Sequence, residues 1–396
     1  MNSKSTTSIR ATNIRTASPL TLPPLSLYIH IPWCLKKCPY CDFNSHAFEK
    51  SFPEQNYIEA LLEDLQIDLP YVQGRTLHSI FIGGGTPSLF SPESLAKLLT
   101  KIRSFIPFAE NMEVTLEANP GTFEQNKFAE FRAGGINRLS IGIQSFQPSF
   151  LKKLGRVHSG KEALLAAEIA QQAGFTNFNL DLMFGLPEQT SEQAINDLKQ
   201  AIQFNPSHIS WYQLTIEPNT VFFSKPPVLP PVLAIESMHD EGIALLEDEN
   251  FKRYEISAFS QAGQQAQHNL NYWQFGDYLG IGAGAHGKIS LPHENQILRT
   301  RKTRQPQAYL DPNKSYLSES TPISEQDLAL EFMMNALRLR EGVTMAMLKE
   351  RTGIDLNEIS SILNTLRNQG LIQPDILCTT SKGYNLLNNV LQAFMI

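Results

Sequence analysis

Between Leu27 and Gly287, short runs of aliphatic and β-branched residues alternate with amphipathic stretches of about 12–20 residues, the pattern of repeated βα units on a parallel sheet. The runs predict strands near 27–31, 78–82, 112–117, 138–143, 177–182 and 208–214. Thr122 with Gln125, Ser159 with Glu162 and Thr190 with Gln193 have the spacing of capping boxes that start the intervening helices. Gly134 and Gly174 stand where such helices stop. Six units fall short of the eight of a closed barrel. The run KPPVLPP at Lys225–Pro231 breaks the rhythm before a helix expected over 233–249. The expected fold class is therefore α/β: an open, partial (β/α)6 barrel of the TIM type over residues 25–290.

The alternation ends in a connecting segment, 291–322, which carries the basic run RTRKTR at Arg299–Arg304. Residues 323–396 then read as helix, turn, helix and a short hairpin, a small helical domain of winged-helix outline. That segment holds six Lys and Arg against eight Asp and Glu, a balance that argues against DNA as its partner and for packing on the barrel. Residues 1–24, rich in Ser and Thr with Lys4, Arg10 and Arg15 and no acid, read as a disordered tail or, less closely, as an organellar transit peptide.

Composition narrows the classes further. With 42% hydrophobic and 18% charged residues the chain of 396 is of ordinary globular type, and its net charge of −6 disfavours a general nucleic-acid binder. No run approaches the roughly 18 apolar residues of a membrane span. Four cysteines cannot frame a secreted disulfide fold, so the expected compartment is the reducing cytoplasm.

Three of those cysteines crowd into YIHIPWCLKKCPYCDF, where Cys34, Cys38 and Cys41 follow the first strand as Cys-x3-Cys-x2-Cys. Three thiolates on one short loop make a soft-metal site, for an iron–sulfur cluster or, with His30 or His46 as a fourth ligand, zinc. Three cysteines on a cubane leave one iron open to a small chelating molecule. In barrels, functional groups gather at the carboxyl ends of strands. There the sequence offers Gly83, Gly84, Gly85 and Thr86 after the second strand, Glu117 after the third and Gln144 after the fourth, with Asp181 on the fifth. Glycines there let backbone groups approach a ligand, and Arg156 is suited to a carboxylate. Taken singly, these polar residues also fit helix caps or surface ion pairs.

The cysteine spacing at the end of a first β-strand resembles the radical S-adenosylmethionine superfamily. The resemblance implies that Cys34, Cys38 and Cys41 hold a [4Fe-4S] cluster whose unique iron binds S-adenosylmethionine, with Tyr40 beside the adenine. Together with the strand-end motifs, the chain from about Leu25 onward is similar to the family of oxygen-independent coproporphyrinogen III dehydrogenases and its heme-chaperone branch. By that resemblance Tyr28 packs at the cluster, Gly84, Gly85 and Thr86 meet the methionyl part of the cofactor, and Glu117, Gln144, Arg156 and Asp181 meet the rest. The dehydrogenase pattern continues with a cysteine two residues after Cys41, where this chain has Phe43; that departure, the DFNSH that follows and the segment HNLNYW at His268–Trp273 resemble the chaperone branch. There His268 is the candidate axial heme ligand, with Tyr272 and Trp273 offering aromatic surface, and His286 is the alternative ligand. The resemblance implies heme as cargo, heme-accepting proteins that include membrane-bound respiratory ones, an electron donor and a homodimer. The alternative reading is radical oxidative decarboxylation of coproporphyrinogen III.

Overall fold

The computed structural model describes residues 20–48 and 51–395. Most of the segment expected as a tail, residues 1–19, lies outside them. Leu20 and Pro23 are buried, and Thr21 donates its backbone N–H to the Glu350 carbonyl at 3.0 Å, so the last residues before the barrel pack against the C-terminal domain.

Six parallel strands form where the hydrophobic runs predict them: β1 (Leu25–Ile31), β2 (Leu77–Gly84), β3 (Phe108–Ala118), β4 (Arg138–Gln144), β5 (Phe178–Phe184) and β6 (His208–Gln213). They lie side by side in chain order. Helices α1 (Glu54–Asp68), α2 (Pro92–Phe105), α3 (Phe128–Ala133), α4 (Gly160–Gln172), α5 (Ser191–Gln203) and α6 (Val232–Asp248) cover one face. On that face Leu27, Ile29, Ile80, Ile82, Leu139 and Ile141 are fully buried against helix residues such as Leu61 and Leu98. The capping boxes at Ser159 and Thr190 are both formed; the side chains of Thr122 and Phe123 lie outside the described ones.

Strand alternation of period two turns the other residues inward, and this inner face is polar. Ser26 bonds Ser79 at 2.7 Å, Ser140 donates to Asp181 at 2.9 Å, and His208 bonds Asn179 at 2.7 Å. A short helix, α7 (Gln267–Trp273), lies on this face; Glu113 of β3 accepts the backbone N–H groups of Gln267 and His268 at 3.0 and 3.1 Å. A carboxylate there complements the positive end of the helix.

The sheet also extends beyond the six units. Beyond β6 comes β7 (Ala258–Ser260), antiparallel; beyond β1 comes β8 (Asp277–Ile281), parallel, and then antiparallel β9 (His286–Leu291), β10 (Gln296–Lys302) and β11 (Leu317–Pro322). The segment expected as a mere connection thus contains strands that extend the barrel sheet. Its basic run hid this, because charges occupy buried strand positions: Lys302, 1% exposed, bonds Asp64 and Asp68 of α1 at 2.5 and 2.8 Å. Lys288 is likewise buried against Asp277 at 2.9 Å.

The C-terminal domain has α8 (Glu325–Ala336), α9 (Met345–Thr352) and α10 (Leu356–Asn368), followed by two antiparallel bridges, Val343 to Leu377 and Ile372 to Thr379. Gly353, at φ +73°, ends α9 in the left-handed turn typical of glycine. The apolar core of this domain merges with Tyr254, Phe275 and Ile297 of the barrel. Arg338 pairs with Glu255 at 3.0 Å and stacks 4.2 Å over the Trp273 ring, closing the seam.

Candidate functional site

At the carboxyl ends of the strands a cavity of about 510 Å³ opens. Cys34, Cys38, Tyr40, Cys41, Gly84, Gly85, Thr86, Glu117, Gln144, Arg156 and Asp181 all line it. Residues scattered over 148 positions of sequence meet because each lies on or after a neighbouring strand of one parallel sheet.

The cysteine loop is built by local bonds. Cys34 ends a two-residue strand with Trp33, Cys41 N–H donates to the Cys38 carbonyl at 3.1 Å, and Lys37 donates to the carbonyls of Phe43 and Ser45 at 3.0 and 3.3 Å. All three thiols are unpaired. Among the described residues no three His, Cys, Asp or Glu side chains gather as a single metal ion requires. Three thiols around a shared cavity are the donor set of a soft-metal centre. His30, one of the two histidines considered for zinc, turns elsewhere: its Nε2 donates to the Asn44 carbonyl at 2.9 Å and its Nδ1 accepts from the Tyr28 hydroxyl at 2.9 Å.

The glycine loop is shaped by contact on every side. Gly85 N–H donates to Ile31 O at 2.6 Å and Thr86 N–H to Trp33 O at 2.7 Å, locking the loop to the cysteine strand. Gly84 has φ +115°, and a Cβ there would lie 2.6 Å from the His30 ring; one at Gly85 would lie 2.4 Å from Trp33 O. Gly84 N–H donates to Glu117 Oε2 at 2.9 Å. Burial, with Asp181 nearby adding to it, pushes the Glu117 carboxyl up to about 8. Asp181 is also raised by burial, against bonds from Ser140 and Asn179 that favour its charge. Two buried carboxyl groups thus stand in one cavity, each raised by burial. Arg156 supplies the opposite charge: Nη1 lies 3.8 Å from Cys38 Sγ, Nη2 donates to Asn119 Oδ1 and Gly142 O at 2.8 Å each, and Nε is buried without a partner. Gln144, in left-handed conformation at φ +68°, accepts from the Tyr212 hydroxyl at 2.8 Å.

Two expected residues stand elsewhere. Tyr28 lines a second cavity, of about 870 Å³, that shares Asp42, Phe43, Gly84 and Glu117 with the first. His268, expected as an axial ligand, is 2% exposed and lines neither cavity. Asn271 donates to Ser26 at 2.9 Å, Ser26 bonds Ser79 at 2.7 Å, and Ser79 bonds His268 Nδ1 at 2.8 Å. Since the amide can only donate, the chain of hydroxyls runs toward the imidazole, and Nδ1 accepts. The ring is flanked by Phe81 and Tyr272 at 5.2 and 5.1 Å, and burial pushes it down to about 3. His268 thus packs between α7 and the sheet with Nδ1 bonded and its Nε2 buried without a hydrogen-bond partner. Sequence reasoning missed Asn119, Ser140 and Tyr212; period-two counting from Asp181 and Gln144 along the strands would have found the polar inner face.

Comparison with known proteins matches this geometry. Residues 28–201 match the radical SAM superfamily and 323–386 match the HemN C-terminal domain. The chain superposes on coproporphyrinogen III oxidase (HemN) from Escherichia coli, described as a radical SAM enzyme, with a TM-score of 0.79, 22% identity and coverage of 96% of this chain and 92% of that one. The protein is thus of the radical SAM class, a partial barrel with a helical C-terminal domain, and that class implies a [4Fe-4S] cluster and S-adenosylmethionine. It is 48% identical over 376 residues to the heme chaperone HemW of E. coli strain K12, covering 94% of this chain and 99% of that relative, and 50% identical over 380 residues to that of Haemophilus influenzae, covering 94% and 98%. The chain belongs to the HemW family.

Proposed function

We propose that this chain carries a [4Fe-4S] cluster on Cys34, Cys38 and Cys41, binds S-adenosylmethionine in the adjoining cavity, and binds heme for delivery to acceptor proteins. The observation that carries the reading is the convergence of three unpaired thiols, the glycine loop, the Arg156 guanidinium and the Glu117 and Asp181 carboxyl groups in a single cavity, in a chain half identical to relatives named heme chaperones. A cluster held there supplies one-electron reduction of the bound sulfonium and an open iron for its amino and carboxylate groups.

The protein's own part is binding and orientation. Gly84, Gly85 and Thr86 border the cavity, and at Gly84 and Gly85 a side chain would collide with His30 and Trp33. The Glu117 and Asp181 carboxyl groups face a cationic ligand in the cavity, and the Arg156 guanidinium stands 3.8 Å from Cys38 Sγ. Heme acceptors in or on membranes are reached by docking in this reading, since no helix among the described residues is long and apolar enough to cross a bilayer. The reducing cytoplasm is the compartment proposed, and an electron donor and a homodimer belong to the same reading.

The test is anaerobic reconstitution followed by two assays: hemin titration, and incubation with coproporphyrinogen III, S-adenosylmethionine and a reductant with product mass read out. Heme uptake without loss of carboxyl groups from the porphyrinogen is expected. Formation of protoporphyrinogen would overturn the reading in favour of the decarboxylase.

A further inference from the structure

The second cavity has the size, the charge and the one available imidazole that a heme site needs. Its volume of about 870 Å³ lies in the range of cofactor pockets. His286 opens β9 and is paired in register with Arg301 of β10, so both side chains leave the sheet on one face. Among the described residues the His286 imidazole has no hydrogen-bond or ion-pair partner, unlike His30, which is held at both nitrogens. Partial burial, together with Arg301 and Arg299, holds His286 below the usual histidine range, which leaves a neutral nitrogen for a metal. Arg304 lines the same cavity, its Nε donating to Asn44 Oδ1 at 3.2 Å. Among the described residues the Arg301 side chain is paired with Glu319 at 3.1 Å, both about half exposed, a pair that exchanges at little cost. Aromatic surface comes from Tyr272 and Tyr278, whose rings lie 4.2 Å apart, and from Phe43 at the lip shared with the first cavity, 57% exposed and with apolar area to bury.

We propose that heme docks in this second cavity with His286 as the axial ligand of its iron and Arg301 and Arg304 receiving its two propionates. The proposal rests on the heme-binding reading above and deepens it, moving the ligand from the buried His268 to the exposed His286. Phe43 and the Gly84–Glu117 wall then separate heme from the cofactor cavity, so each ligand borders residues that the other also touches.

The experiment is hemin titration of the full-length protein, followed by the Soret band and electron paramagnetic resonance of the bound iron. His286→Ala is expected to lose the histidine-ligated signature and to weaken hemin by about tenfold or more, with free imidazole restoring the spectrum. His268→Ala is expected to keep the signature. The double change of Arg301→Gln with Arg304→Gln is expected to weaken hemin and metal-free protoporphyrin alike, because it removes propionate contacts rather than the iron ligand. A His286→Ala protein that titrates and absorbs like the unaltered chain overturns this assignment while leaving heme binding intact. Failure of the unaltered protein to take up hemin overturns the functional reading together with it.

Discussion

Replacing Gly84 by alanine tests whether the glycine loop is shaped for a ligand or merely turns the chain. The backbone at Gly84, φ +115°, is one that residues with a side chain adopt at a cost of about 1–3 kcal/mol. The added methyl would lie 2.6, 2.8 and 2.9 Å from His30 Cε1, Nδ1 and Nε2. That ring cannot retreat freely, because Tyr28 and Asn44 hold its two nitrogens at 2.9 Å each, and breaking such bonds costs about 1 kcal/mol apiece. The expected loss of stability is therefore about 3–5 kcal/mol. Displacing Gly84 also disturbs the 2.9 Å bond from its N–H to Glu117, so S-adenosylmethionine affinity should fall by about tenfold or more. Gly74→Ala is the control: its φ is +76° with nothing within 4 Å of the new methyl, so strain of about 1 kcal/mol is all it should show. Urea unfolding and calorimetric titration of the cluster-loaded proteins decide the matter. Equal stability and equal affinity for the two variants would refute the argument from the loop.

Glu117 gives a pH test. Its folded value of about 8 against an ordinary 4.5 means that the folded protein keeps a proton the unfolded chain has released, so stability should fall as pH rises from 4.5 to about 8 and level off above. Its contribution reaches about 1.4 kcal/mol per pH unit, and Glu117→Gln should remove it; parallel stability curves for the two proteins would contradict the burial argument. Lys302→Met should leave Asp64 and Asp68 facing each other without their cation and cost about 3–5 kcal/mol in urea unfolding. A change below about 1 kcal/mol would mean that this buried triad does not hold β10 to α1.

The parallel strands were legible because their outward residues, Leu27, Ile80, Leu139 and Leu180 among them, are buried under helices and show as apolar runs. The first cavity was legible for a related reason: in a parallel sheet each carboxyl end faces the same rim, so Cys34, Gly84, Glu117 and Asp181 converge without further information. What failed to show were positions where pairing replaces hydrophobicity. Lys288 and Lys302 read as surface charge although both are buried by aspartates distant in sequence, and β10 was lost with them. His268 shows why such a site is hard to read from sequence, since a histidine beside aromatic residues looks the same whether it faces a ligand or a serine ladder, and here Nδ1 meets the ladder while Nε2 is buried without a partner.

The most direct test of the central claim, that cluster and heme occupy separate sites on one chain, is a comparison of Cys38→Ala with the unaltered protein after anaerobic reconstitution. Iron and sulfide content and hemin uptake are measured on the same samples. The account predicts that Cys38→Ala loses the cluster, because Cys38 is one of its three ligands, and still binds hemin in the second cavity. Loss of hemin binding together with the cluster, in a variant that remains folded by circular dichroism, would contradict it.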